Sequence, residues 1–300
     1  MEANTGAGLL QYFKVFLRGH LPGEVFHAFE RKAEEALNAP AKMKFNLLFS
    51  GIPRLVGKRE IPVSVQELSE LEAIRKGFSP LGWTADRFCR VYLLMHLAPA
   101  DPEGRQSYLD RIEELFSVAE VSEQVALYSA LPLYLFPEAF RFRATEGIRT
   151  NITDVFDAIA LHNPYPFEQL DEPAWNQMVL KALFMQRPIY RIYGVDDRAN
   201  ASLARILSDY AHERWSAGRS VSPELWRCVG RFIDDKLFGD IERLLEGNDP
   251  FKTEAAALAC SDSGHPAARE ILKTYPEPAR KVQNGELTWD SLGKAIWNIR

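Results

Sequence analysis

Residues 248–276 read NDPFKTEAAALACSDSGHPAAREILKTYP. An Asp-Pro pair opens the stretch, and it suits a helix start: aspartate caps, and proline at the first turn gives up an N–H that has no partner there. A small-residue helix follows. Its alanines let neighbouring helices approach closely. A Gly-His-Pro turn at 264–266 then leads into a second, leucine-ended helix. Two helices joined by a tight turn, the first with a small-residue face, form a unit made to stack on others.

The same pattern extends outward from this unit. Alternating strand patterns are almost absent, and helical spacing dominates. The spacing predicts helices over 8–19, 23–37, 64–76, 84–98, 104–119, 122–135 and 152–161. It predicts further helices over 172–186, 197–217, 222–236, 238–246, 250–262, 265–274 and 288–299. Breakers such as HLPGE, FSPLG, APADPEG, QRPIYRIYG and YPEP separate them. Thr84, Asp171 and Ser222 each place a capping oxygen before a first turn. The segment 41–63, AKMKFNLLFSGIPRLVGKREIPV, is the least regular and reads as a linker or a loop crossing the body. The 248–276 unit resembles a HEAT-like repeat, although no period of about 40–47 residues runs through the chain. The expected fold is all-α: an irregular α-solenoid or a multi-helix bundle of antiparallel helix pairs, HEAT-like toward the C-terminus. One all-helical domain over 1–300 is expected, with a loosely packed N-terminal subregion over 1–63.

Composition narrows the function. The 300 residues are 46% hydrophobic and 26% charged, which supports a substantial core. A net charge of −5 gives no global pull toward nucleic acid, and no nucleic-acid partner is expected. Cys89, Cys228 and Cys260 are isolated, with no CxxC pair, so neither a zinc ribbon nor a redox pair is supported. The N-terminal stretch MEANTGAGLLQYFKVFLRGH lacks a secretory pattern, and no apolar run reaches the roughly 18 residues of a membrane span. A cytoplasmic protein is expected. At most it makes peripheral contact with the inner membrane, through the amphipathic segment LLQYFKVFLRGH.

The chemistry-bearing candidates come from two helices. Residues 209–215 read DYAHERW. On a wheel of about 100° per residue, Ile206, Tyr210, Leu203, Leu207, Ala211, Ala204 and Trp215 share one arc. Ser208, His212, Arg205, Asp209, Ser202 and Glu213 share the other. His212 with Asp209 or Glu213 is a candidate acid–base pair; the alternative is a solvated polar face. His212-Glu213 begins like HExxH, but Ser216 stands where the second histidine belongs, so no metal site is expected. Arg214 projects into the middle of the apolar arc. In 172–186, EPAWNQMVLKALFMQ, the wheel is apolar nearly all round, with Asn176 inside the apolar arc and Gln177 and Lys181 on the narrow polar face. A buried asparagine or arginine must find partners. Arg214 and Asn176 are therefore either internal tethers or ligand residues, with Arg214 holding an anion and Asn176 orienting a polar group. Lys181, Gln177 and Trp175 complete the candidate set. Tyr165, in the proline-rich LHNPYPFEQL, is a candidate rim residue or part of a plain connector. Arg87, Arg90, Arg141, Arg143 and Arg149 are phosphate candidates, although scattered arginines more often form surface pairs. There is no Gly-rich phosphate loop and no GxSxG, and no cofactor is implied.

Three longer stretches carry a resemblance. HNPYPFEQLDEPAWNQMVLKALF, GVDDRANASLARILSDYAHERWSAGRSVSPELW and GWTADRFCRVYLLM together resemble the EboA domain family. The resemblance implies a bacterial protein encoded in a gene cluster beside proteins like prenyltransferases, sugar-phosphate cyclases, TIM-barrel metal hydrolases and isomerases. Such clusters are linked to making or moving a secondary metabolite, including toward the periplasm. The resemblance carries no catalytic residue. The expected function is a non-catalytic helical adaptor or ligand-binding protein, with proteins of the same cluster and a small-molecule metabolite as partners. The alternative is an enzyme acting on a prenylated or sugar-derived metabolite through His212 and Asp209 or Glu213.

Overall fold

The apolar spacing becomes helix along most of the chain. The computed structural model describes residues 3–99, 102–246 and 248–298. Among them the fold is all-α, and the only β pairing is one isolated bridge between Glu60 and Thr84. The chain divides into two compact units, Met1–Leu170 and Asp171–Arg300.

The first unit contains α1 (Ala3–His20), α2 (Gly23–Leu37), α3 (Lys42–Val56), α4 (Val65–Ile74) and α5 (Ala85–Met95). It continues with α6 (Arg105–Val118), α7 (Val121–Ser129), α8 (Arg141–Arg149), α9 (Thr153–Ala160) and α10 (Tyr165–Gln169). Its centre is α5, where every residue except Arg87 is buried. Helices α1, α3 and α7 pack on it. The apolar face of α1 turns inward. Phe13 meets Phe88 at a ring-centroid distance of 6.0 Å and Trp83 at 6.4 Å, while Lys14 and Arg18 stay outside. Leu9, Phe13, Phe16 and Leu17 of LLQYFKVFLRGH are engaged in the core, while Val15 is exposed. No helix among the described residues is long and apolar enough to cross a membrane.

The segment 41–63 departs from its reading as a linker, because its first part is α3. Phe45, Phe49, Ile52 and Val56 recur at helical spacing and are buried. Pro53 is what disguised the helix. It has no N–H to give the Phe49 carbonyl one turn back. The buried Arg90 side chain fills that vacancy, its Nε donating to the Phe49 carbonyl at 3.0 Å. Nη1 of Arg90 also donates to Asp86 Oδ2 at 2.9 Å and to Ser122 Oγ at 3.2 Å. The proline's cost is met across the unit, and four large side chains worth roughly 1.5–3 kcal/mol each on burial hold α3 in place.

The second unit contains α11 (Glu172–Phe184), α12 (Ala201–Ser216), α13 (Asp235–Leu245), α14 (Pro250–Asp262), α15 (Pro266–Lys273), α16 (Pro276–Gln283) and α17 (Trp289–Asn298). The stretch 248–276 supplies its centre. Residues 255–260 of α14 are all buried. Helices α13, α15, α16 and α17 pack on α14, together with 3-10 turns at Pro223–Cys228 and Gly230–Phe232. The approach is close enough that a Cβ at Gly230 would lie 2.9 Å from both Cα and the carbonyl oxygen of Ala259. Only glycine fits there.

Three local readings change. Residues 222–236 read as one helix but form the two 3-10 turns and the start of α13, with Glu224, Leu225, Trp226 and Cys228 all buried in the first of them. The YPEP separator proves to be the start of α16, with both prolines in a first turn that needs no N–H. Of the three expected caps, Asp171 accepts the Ala174 N–H at 2.9 Å, while the Thr84 and Ser222 side chains make no capping bond.

Candidate functional site

The polar side of α12 is not uniformly solvated. Ser208 is buried and Asp209 and Glu213 are exposed. His212 lies between these extremes, with its side chain half exposed. Its Nε2 sits 2.6 Å from Oδ1 of Asp240 on α13, and the Ser208 hydroxyl donates to Oδ2 of the same carboxylate at 2.6 Å. The structure therefore does not join His212 to the expected acids. Asp209 instead lies 3.8 Å from Lys236 across exposed surface. The buried Asp240 competes successfully because α13 lays it over the polar stripe of α12. The arrangement is also not a nucleophile triad. The carboxylate sits between serine and histidine, so the imidazole does not contact the hydroxyl it would have to deprotonate.

Arg214 departs from the wheel in a different way. The apolar-arc position predicts a buried charge, but the residue is half-buried. It stands in the last turn of α12, and its long side chain reaches past the helix end, where Nε donates to the Ser220 carbonyl at 2.7 Å. The chain folds back there through Gly218, whose φ of +67° suits glycine.

Arg214 opens onto a cavity of about 320 Å³. Leu183, Gln186 and Arg187, at and beyond the end of α11, form one wall. The loop 220–223, the first turn of α14 with Phe251 and Lys252, and Ile296 and Trp297 of α17 form the others. A buried carboxylate fixes the aromatic wall. Glu224 accepts the Trp297 Nε1–H at 2.7 Å and the Tyr190 N–H at 3.0 Å. The Arg187 guanidinium lies 6.0 Å from the Trp297 ring centroid. Arg187, Arg214 and Lys252 place three cations on the lining against one carboxylate, Asp249, which caps α14 and lies 3.7 Å from Lys252. This combination of cations, an indole and aliphatic side chains suits a small molecule with an anionic group and an apolar or aromatic body.

The other candidates are placed elsewhere. Asn176 is buried and paired with Asn200, the N-cap of α12: Asn200 Nδ2 donates to Asn176 Oδ1 at 2.9 Å, and Asn176 Nδ2 returns a bond of 3.2 Å. It ties α11 to α12. Trp175 is buried with the Arg198 guanidinium 4.6 Å over its ring. Gln177 is exposed, and Lys181 is half-buried with its ammonium pushed below its usual range by desolvation. None of these four lines the cavity. Tyr165 is in the first unit and is buried, donating to the Pro137 carbonyl at 2.7 Å, so it is no displayed rim. Asn163 fixes the turn that leads into α10, its side chain accepting the Tyr165 N–H at 2.9 Å.

The arginines are engaged as well. Arg87 donates to Ser129 Oγ at 2.8 Å, Arg143 pairs with Glu113, Arg149 pairs with Glu146, and Arg141 donates to Gln169 at 3.4 Å. Burial pushes the Cys228 and Cys260 thiols up to about 12, which keeps both protonated at neutral pH. Among the described residues no cluster of His, Cys, Asp and Glu has the geometry to hold a metal.

The family model described as metabolite traffic protein EboA matches residues 9–230. The chain belongs to the EboA family. No curated protein and no solved structure matches it. The family match divides the cavity. The α11 end, Arg214 and the 220–223 loop lie within the matched EboA residues, while Phe251, Lys252, Ile296 and Trp297 lie beyond them.

Proposed function

We propose that this protein is a non-catalytic carrier or adaptor in the biosynthesis or traffic of a bacterial secondary metabolite, and that the Arg214 cavity holds the metabolite by an anionic group. The observation that carries the proposal is the cavity lining, with Arg187, Arg214 and Lys252 around Phe251, Ile296 and Trp297. The family's description as metabolite traffic proteins supports the same reading. The ligand sits against a wall that Glu224 holds rigid, so little ordering is required on binding. Proteins encoded in the same gene cluster are the partners that would deliver or collect it, docking on the stacked, HEAT-like C-terminal helices. The test is to purify the chain from its native host at low salt and identify co-purified small molecules by mass spectrometry, beside Arg214→Glu. An acidic, partly apolar metabolite is expected with the wild type and is depleted about tenfold in the variant, the weight of one charge-assisted contact. Equal loading of both proteins, or none on either, overturns the proposal.

One observation favours a second reading. Asp240 orients a half-exposed His212, and a carboxylate-steered imidazole is a general base in many enzymes. In that reading an acid/base reaction on a prenylated or sugar-derived metabolite uses His212 and Asp240 in place of Asp209 or Glu213. Unchanged metabolite output from a strain carrying His212→Ala removes it.

A further inference from the structure

We infer that the groove between α14, α15 and α16 is a second ligand site, built for an amphiphilic anion: an apolar chain or ring system that ends in a carboxylate, sulfonate or phosphate. The groove has a volume of about 520 Å³, inside the range of about 300–1,000 Å³ typical of small-molecule sites. It shares no lining residue with the Arg214 cavity, and it lies wholly beyond the residues matched by the family model.

The floor follows from the sequence of α14. Ala257 and Cys260 are buried there, and their short side chains leave space that longer ones would fill. The walls are Leu272 of α15 and Ala279 and Val282 of α16, all half-buried. Helix α16 buries no residue completely, so its apolar stripe is only partly covered by α14 and α15. Covering the half-buried Leu272, Ala279 and Val282 with an apolar body is favourable.

The charge is one-sided. Arg269, Lys273 and Arg280 line the groove, and no carboxylate does. Lys273 pairs with Glu270 at 2.7 Å and Arg280 pairs with Glu286 at 3.1 Å, with all four side chains exposed. Exposed pairs of this kind contribute little and exchange readily for a ligand anion. The Arg269 guanidinium makes no hydrogen bond or ion pair among the described residues. An inorganic anion would satisfy the cations and leave the half-buried Leu272, Ala279 and Val282 uncovered. A neutral apolar molecule would cover those side chains and leave Arg269 without a partner. The amphiphile satisfies both. A single soluble molecule fits a groove of this volume better than a bilayer surface does, since a bilayer meets convex or flat faces.

The test uses the full chain and the dye 1-anilinonaphthalene-8-sulfonate, a sulfonate on an aromatic body, displaced by decanoate. Blue-shifted dye emission that decanoate reverses is expected, with decanol at least about tenfold weaker as a competitor, because it lacks the charge. Arg269→Glu is expected to weaken decanoate about tenfold or more, and Ala279→Trp to abolish displacement by filling the groove. Dye and decanoate also suit the Arg214 cavity, so both groove variants are made and compared in an Arg214→Glu background, which silences that cavity. Thermal melts check that each variant is folded, and Arg269 is exposed, so its charge reversal leaves the core untouched. In that background, decanoate affinity unchanged by both groove substitutions overturns the inference, as does the absence of displacement with Arg214→Glu alone. Arg269-dependent binding to phosphatidylglycerol vesicles without decanoate displacement also overturns it, in favour of a membrane surface.

Discussion

Asp240 clasps two residues of the neighbouring helix: its Oδ1 lies 2.6 Å from His212 Nε2, and its Oδ2 accepts the Ser208 hydroxyl at 2.6 Å. The carboxylate and the hydroxyl are both buried, whereas the imidazole is half exposed. This asymmetry gives the pair of residues different weights.

Asp240→Ala strands the buried Ser208 hydroxyl and releases His212. A stranded buried polar group costs about 1–3 kcal/mol. His212→Ala removes a partly solvated pairing, for which about 0.2–1 kcal/mol is expected. Urea unfolding of the two variants should rank them in that order. An Asp240→Ala chain as stable as His212→Ala would show that the clasp contributes nothing to holding α12 and α13 together.

Arg90 and Pro53 form a coupled pair in the first unit. Arg90→Met leaves the buried Asp86 without its counter-charge and the Phe49 carbonyl without its donor, a loss expected at about 3–5 kcal/mol. Pro53→Ala restores a backbone N–H aimed at the same carbonyl. In the Arg90→Met background it should recover about 1 kcal/mol, and recover less with Arg90 present. A double-mutant cycle by chemical denaturation measures that difference. Strict additivity would mean that the carbonyl is satisfied some other way.

Two glycines of the second unit should respond in opposite directions. Gly230→Ala drives a methyl into the Ala259 backbone at 2.9 Å and is expected to cost about 1–3 kcal/mol. Gly239 lies inside α13, and a Cβ there would meet nothing within 4 Å. Gly239→Ala should therefore stabilise by about 0.5–1 kcal/mol, the usual gain for alanine over glycine within a helix. Thermal melts that move the same way in both variants would contradict the close approach at Gly230.

The helical character of the chain was legible because burial and periodicity agree. In α14 the alanine run and its Asp-Pro start point to the same helix, Pro250–Asp262, that the structure contains. The reading was weaker where one residue stands for a rule that tertiary contacts override. Pro53 says stop, yet Arg90, distant in sequence, takes the orphaned carbonyl. Asp240 could have been found. Leu237, Asp240, Ile241 and Leu244 fall at i, i+3, i+4 and i+7, and all four are buried, so the aspartate sits in the apolar stripe. The same test applied to Arg214 misled, because a wheel has no ends, and a side chain in the last turn can leave along the axis. Glu224 carried no such signal, since its 3-10 turn has neither a helical nor a strand period.

Helix α14 has a further consequence for how the second unit comes apart. It is wrapped by α13, α15, α16, α17 and two turns, and its central residues 255–260 keep almost no face for water. Such a helix gains little from any one neighbour alone, and when exposed it is a greasy rod. Opening of α14 therefore cannot proceed neighbour by neighbour. Amide exchange along 255–260 should report a single, late event shared with its surroundings, making this stretch the slowest-breathing part of the unit.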